Sequence, residues 1–312
     1  MMRVVALSGG IGGAKLALGF YKALPPNELT VIVNTGDDIE LHGLRISPDV
    51  DIVMYTLAGL VDPVKGWGLK DDSFGCLRSL HDTYHQETWF SLGDGDLSTH
   101  ILRTMMLRDG RVLSEVTRNL CEHVGLDDVC ILPMTDDTVT SHVRIGDGSL
   151  IHFEEYFVKR SCKDRILGVQ YVGCEKARAA AGVIEALNEA DVIVICPSNP
   201  IASIGPIISI PSIVAAVRDA RCPVIAVSPL VGGKAVKGPT EDFMNALGIE
   251  VSARGIGEYY RDMVTHLVID TADAQSARPI KSLGLRVLVT NTLMNSLDDK
   301  IRLAQDLLAL VP

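Results

Sequence analysis

The chain has 312 residues, of which 47% are hydrophobic, 22% charged and only 5% aromatic, and its formal charge is −10. That length allows one large α/β domain, or one carrying a smaller inserted part, and a Val, Ile, Leu and Ala-rich core suits parallel strands covered by helices. The acidic balance excludes a nucleic-acid surface, which needs a basic stripe, but leaves room for local phosphate binding by backbone N–H groups and a divalent cation.

Residues 3–8 form a short apolar run that stops at glycines, and a helical pattern follows over 14–24, with Leu16, Phe20 and Leu24 on one stripe until Pro25-Pro26 ends it. Residues 30–34 read as a second buried strand. This strand, glycine loop, helix and strand order opens a doubly wound sheet. The loop Ser8-Gly9-Gly10-Ile11-Gly12-Gly13-Ala14-Lys15 carries neither the spaced dinucleotide fingerprint nor a Walker ending. Its glycines let a ligand approach the backbone, and the helix N-terminus offers N–H groups to an anion. Ser8, Gly9, Gly10, Gly12 and Gly13 are therefore candidate phosphate contacts, with Lys15 either a further contact or a solvated charge.

After the second strand comes Asn34-Thr35-Gly36-Asp37-Asp38, where adjacent carboxylates beside Asn34 read as a ribose contact, a magnesium site or an exposed acidic turn. In Ser47-Pro48-Asp49-Val50-Asp51, Ser47 or Asp49 can cap the helix predicted over 49–59. Residues 62–147 are mixed, with helices predicted near 74–84, 98–108 and 112–124, and read as a mostly helical insertion over the strand ends. Within it, Gly93-Asp94-Gly95-Asp96 precedes a helix bearing His100 and Arg103, and is either a capped turn or a substrate contact through Asp94, Asp96 and His100. His81 and His85 lie one helical turn apart without a third ligand, so a solvated or packed pair is favoured over zinc. Residues 150–156 read as a strand.

Regular alternation resumes near residue 166, with helices over 177–190, 207–220, 240–247, 258–264 and 296–310, and strands over 191–196, 223–227, 266–270 and 286–289. Two loops at strand ends offer polar groups: Ser198, Asn199 and Ser203 in CPSNPIASIGP, and Gly232 and Gly233 with Lys234 and Lys237 in SPLVGGKAVKG. The expected fold is a single Rossmann-like α/β/α domain over 1–312, mainly parallel, with 62–147 as its insertion. Seven scattered cysteines without a Cys-x-x-Cys pair fit reduced, mostly buried thiols. The start, MMRVVALSGG, is too short in its apolar part for a secretory leader, and no stretch approaches the roughly 20 apolar residues of a membrane span. The expectation is a cytoplasmic protein without membrane or nucleic-acid partners.

The segments LSGGIGGAKLALG, VNTGDDIELHGLRISPDVDIVMYTLAG, GWGLKDDSF, LGDGDLSTHILRT, LPMTDD, CPSNPIASIGPI and VSPLVGGKAVKGP, with Asp270 and Asp273, resemble the 2-phospho-L-lactate transferases of deazaflavin coenzyme F-420 biosynthesis. A remoter likeness is to cytoplasmic nucleotide-sugar-binding regulators, and the HGLRISPDVDIVMYTLAG segment favours the transferases. The resemblance implies transfer of a phospholactyl group from a guanosine-diphospho-lactate donor to the ribityl hydroxyl of a deazaflavin, with release of GMP and with Mg2+ as cofactor. It implies Asp49, Asp37 and Asp38 as catalytic and metal residues, Asp51 as their neighbour, and a homodimer. Relatives often carry a basic residue between the two aspartates where Gly95 stands here.

Overall fold

The computed structural model describes residues 2–311. Seven strands, β1 (Val4–Ser8), β2 (Leu29–Val33), β3 (Cys130–Pro133), β4 (Val192–Ile195), β5 (Val224–Val227), β6 (His266–Asp270) and β7 (Arg286–Thr290), form one sheet. Its order is β7-β6-β5-β4-β1-β2-β3, and every pairing is parallel. Because side chains alternate across a strand, each apolar run feeds two cores. Val5, Leu7, Ile32, Ile193 and Ile195 face one layer, containing Val183, Ile213, Phe243 and Tyr260. Val4, Ala6, Val31, Val33, Val192 and Val194 face the other, containing Leu16, Phe20, Met54, Leu120 and Leu303. The expected three-layer α/β/α architecture is therefore present. Continuous apolar strands, rather than alternating ones, are its direct consequence.

The second layer is built by α1 (Gly10–Ala23), α2 (Pro48–Leu57), α5 (Leu113–His123) and the last helix, Leu297–Leu308. Between α2 and α5 lie α3 (Gly75–Asp82) and α4 (Asp96–Arg108). The sheet reverses its direction of growth at β1, since β2 lies on one side of it and β4 on the other. Loops leaving β1 and β4 then diverge and open a crevice, where such folds place ligands.

Several boundaries differ from the sequence reading. The stretch 62–147 is not wholly a helical insertion, because β3 lies within it and forms the sheet edge beside β2. Residues 150–156 are not one strand: Leu150–His152 pairs with Thr140–Ile145, and the chain then enters a single π-helical turn, Glu155–Lys159. The helix expected over 207–220 is two, Ile204–Ile208 and Pro211–Arg218, because Pro211 holds Ile210 extended. The helix over 177–190 shrinks to Val183–Glu189, which starts at a left-handed Gly182 with φ of 87°. That over 258–264 moves back to Ala253–Tyr260, where Ser252 accepts from the Gly255 N–H as a cap. Only Cys121 and Cys196 of the seven cysteines are buried, against the expectation that most would be. Among the described residues, no helix is long and apolar enough to cross a membrane.

Candidate active site

The loops leaving five strands, β1, β2, β4, β5 and β7, and the segments facing them enclose a cavity of about 640 Å3, a size suited to a nucleotide-sized ligand. Its floor is the glycine loop. Gly9 provides no side-chain cap for α1; instead the Gly10 N–H donates 2.7 Å to Asp49 Oδ1, reaching across 39 residues. Glycine is obligatory here by contact. A Cβ on Gly9 would fall 2.6 Å from Asp49 Oδ2, and one on Gly12 would fall 2.4 Å from the Pro197 carbonyl oxygen. A Cβ on Gly13 would strike the hydroxyls of Ser8 and Ser198. Gly13 and Ser8 thus serve the packing of the loop, while Gly9, Gly10, Gly12 and Lys15 line the cavity.

Asp49 does not cap its own helix. It lies in the first turn of α2 after Pro48, and its carboxylate is spent on α1 and on Asn34. Nor does Ser47 cap α2, because its hydroxyl donates to Asp38 at 2.7 Å. Asn34, buried at the end of β2, organises the acidic cluster. Its Nδ2 donates to both Asp37 Oδ2 and Asp49 Oδ2 at 2.9 Å, and its Oδ1 accepts from the Gly36 N–H. Two carboxylates are thereby held together by one amide, and Asp37 Oδ1 is left buried without a partner.

The third carboxylate at this place is Glu154, which the sequence reading missed. The turn into 155–159 delivers it to the cavity, between Phe153 and Phe157 in sequence. The only sequence signal was a pair of acids inside the apolar run IHFEEYF. Burial pushes Glu154 up to about 8, aided by the charges of Asp49 and Asp38. Burial raises Asp49 to about 6, against the hydrogen bonds from Asn34 and Gly10. Asp37 stands well above the usual carboxylate range, through burial and then the charges of Asp49 and Glu154.

Asp38 was expected beside Asp37 and Asp49 as a metal ligand, and the structure separates it from them. Adjacent residues point apart, so Asp38 lies behind the cavity wall with Ser47 and, at 3.8 Å, Arg45. Among the described residues, no three His, Cys, Asp or Glu side chains form a ready-made metal cage. The residues nonetheless fit a magnesium ion. Asp37 and Asp49 supply oxygen ligands, Asp37 Oδ1 is an orphan, and magnesium commonly takes one or two carboxylates plus substrate phosphate oxygens.

A second cluster lines the wall beside the acidic one. Fully buried Arg103 makes two hydrogen bonds to Asp51, and His100 Nδ1 lies 3.7 Å from the same carboxylate. Asp96 accepts from the Tyr55 hydroxyl at 2.8 Å, and His100 Nε2 lies 3.3 Å from it without a formed hydrogen bond. Asp51, Asp96 and His100 line the cavity. Asp94 does not: Ser73 and the N–H groups of Gly75 and Cys76 occupy its carboxylate, so it fastens the start of α3.

Ser198, Asn199 and Ser203 also line the cavity. Ser198 Oγ donates to the Gly9 carbonyl at 2.7 Å, which ties the loops after β1 and β4 together. Asn199 Oδ1 accepts from Ile201 and Ala202, so its carbonyl stiffens the loop. Gly232 and Gly233 stand away from the cavity. They form the left-handed tip of the Leu230–Ala235 hairpin, and the Gly232 N–H is taken by Asp273. His81 is exposed beside Asp82, as expected of a solvated residue.

A family model described as 2-phospho-L-lactate transferase CofD matches residues 4–291. The chain belongs to this family. It is therefore a transferase of the 2-phospho-L-lactate transferase kind, at the level of coenzyme F-420 biosynthesis. It is 42% identical to the 2-phospho-L-lactate transferase of Methanococcoides burtonii over 95% of each chain. It is 41% identical to the phosphoenolpyruvate transferase of Streptomyces coelicolor over 99% of this chain and 98% of that one. Among solved structures, a UPF0052 family member from Bacillus halodurans superposes with a TM-score of 0.63 at 17% identity, over 99% of both chains. That likeness is one of fold.

Proposed function

We propose that this member of the family transfers a phosphorylated three-carbon acid from a guanylated donor to the ribityl hydroxyl of a deazaflavin, releasing GMP. The observation that carries the reading is the meeting, in one cavity, of an N–H-rich helix start with a cluster of buried carboxylates raised in pKa. The first suits a diphosphate. The second suits the cation that accompanies it and a base for an attacking hydroxyl. Trp67, Phe90 and the stacked Phe153–Phe157 pair, with centroids 5.5 Å apart, add a flat apolar wall for a fused ring system.

In this reading the hydroxyl oxygen attacks the phosphorus bearing the three-carbon acid, the phosphoanhydride bond breaks, and GMP leaves. Asp37, Asp49 and Glu154 are the groups placed to take the hydroxyl proton, and the Gly9–Gly12 backbone holds the diphosphate. Asp37 and Asp49 would hold magnesium, which when bound neutralises phosphate charge. The donor acid is phospholactate in the reading from sequence, and the relatives' names point to phosphoenolpyruvate as well. Incubation with deazaflavin, magnesium and each guanylated donor in turn, followed by chromatography for GMP and mass spectrometry of the product, decides the matter. No GMP with either donor refutes the transferase reading and favours a nucleotide-binding regulator.

The carboxylate cluster also predicts how stability depends on pH. Unfolded Asp and Glu titrate near 4, whereas Asp49, Asp38 and Glu154 are raised to about 6, about 7 and about 8. Between these limits the native state binds more protons than the unfolded one, so stability is highest in mild acid and falls as pH rises toward 8. Metal-free protein should show that fall in melting temperature, and millimolar magnesium should reverse much of it near pH 8 through preferential binding to the native state. Asp37→Asn should flatten the metal-free profile and reduce the magnesium response. A melting temperature that is flat with pH and indifferent to magnesium counts against the cluster as a cation site.

A further inference from the structure

The cavity lining carries five carboxylates, Asp37, Asp49, Asp51, Asp96 and Glu154, and its two lysine or arginine side chains are Lys15 from α1 and Lys237 from the 232–239 loop. Both lysines open onto the same cavity, and burial, then the charge of Lys15, lowers the pKa of Lys237. The lysines that form ion pairs among the described residues are Lys65 and Lys159, and neither cavity lysine is one of them. Lys237 Nζ instead donates 2.9 Å to the Lys65 carbonyl, on the loop whose Trp67 and Gly68 also line the cavity. Two ammonium groups on one cavity, neither of them paired with a carboxylate, repel each other, and an anion between them offsets that repulsion.

We propose that Lys15 and Lys237 form a two-lysine receiver for the phosphate groups of the guanylated donor. This deepens the proposed function and rests on it. Lys237 is a binding and specificity residue here, supplied from a loop distant in sequence from the glycine loop, and its bond to the Lys65 carbonyl holds it against the cavity. The diphosphate is then held by the lysines and by the α1 N–H groups, and a cation on Asp37 and Asp49 would neutralise further phosphate charge. The base lies outside this arrangement, so the two lysines discriminate by phosphate content rather than by base.

The test is calorimetric titration of the full chain, in magnesium, with guanosine, GMP and GDP. Lys237 is exposed on a loop, so Lys237→Met leaves the core intact. The expected result is GDP affinity weakened about tenfold or more, the scale of one charge-assisted hydrogen bond. GMP should be weakened less and guanosine left within about twofold, and Lys15→Met should show the same order. Lys237→Arg should retain most of the GDP affinity. Equal weakening of guanosine and GDP would mean that Lys237 merely pins the neighbouring loop, and overturns the inference. So does GDP binding unchanged in Lys237→Met, with the transferase reading left standing. If the parent protein binds no GDP, the inference fails together with the guanylated donor.

Discussion

Asp49→Asn should lose about 100-fold or more in turnover, on the order of 2.7 kcal/mol of transition-state stabilisation, while the chain stays folded. Asp49 is 7% exposed and faces the cavity with one oxygen on the Gly10 N–H and the other on Asn34 Nδ2. An asparagine keeps an oxygen for Gly10, so the start of α1 remains capped at a stability change of about 1 kcal/mol or less. What changes is charge and polarity at the other position. The new amide nitrogen meets Asn34 Nδ2, a donor against a donor, and the cluster loses one of the carboxylates available to a proton or a cation. Guanine-nucleotide affinity should fall far less, because the N–H groups of the loop survive. Asp49→Ala removes the cap as well, and should lower the melting temperature further. Steady-state kinetics beside thermal melts of the two variants separate these roles. If Asp49→Asn keeps more than half its turnover, Asp49 is a structural clamp on the glycine loop and nothing more.

Arg103→Met should destabilise the protein by about 3–5 kcal/mol, the cost of stranding one member of a buried ion pair. Arg103 is completely buried, and its guanidinium makes two hydrogen bonds to Asp51, itself 4% exposed. Methionine fills much of the volume, so the loss reports the orphaned carboxylate rather than a void. Burial already raises the pKa of Asp51, and Arg103 is the largest influence opposing it. Without the arginine, Asp51 must take a proton or draw in water. The double variant Arg103→Met/Asp51→Leu, which removes both charges, should recover more than half of the lost stability in urea titrations. It should not recover activity, because Asp51 faces the cavity. A single variant within 1 kcal/mol of the parent would show that the pair is solvated and unimportant to folding.

Much of this architecture was legible in the sequence. The apolar runs at 4–8, 29–33, 192–195, 224–227 and 266–270 had to be doubly covered strands, because both parities of each run are hydrophobic and both must be buried. The glycine loop and the strand-end positions of Asn34, Asp37 and Ser198 followed from local order alone. Local breaks were less visible where one residue overrides a periodic pattern, as Pro211 and Gly182 do.

Tertiary structure decided which polar groups share the site. Periodicity assigns a side chain to a face of its own element and says nothing of what lies opposite. Asp49 was therefore readable as a cap, but only the packing of α2 against α1 shows that it caps the other helix, at Gly10. Asp37 and Asp38 were indistinguishable as neighbours, yet the backbone turns one toward Asn34 and Asp49 and the other toward Ser47. Glu154 and Lys237 reach the cavity from loops more than a hundred residues beyond the acidic cluster in the chain. The parallel crossovers bring them there, because every strand of the sheet points its carboxyl end to the same side.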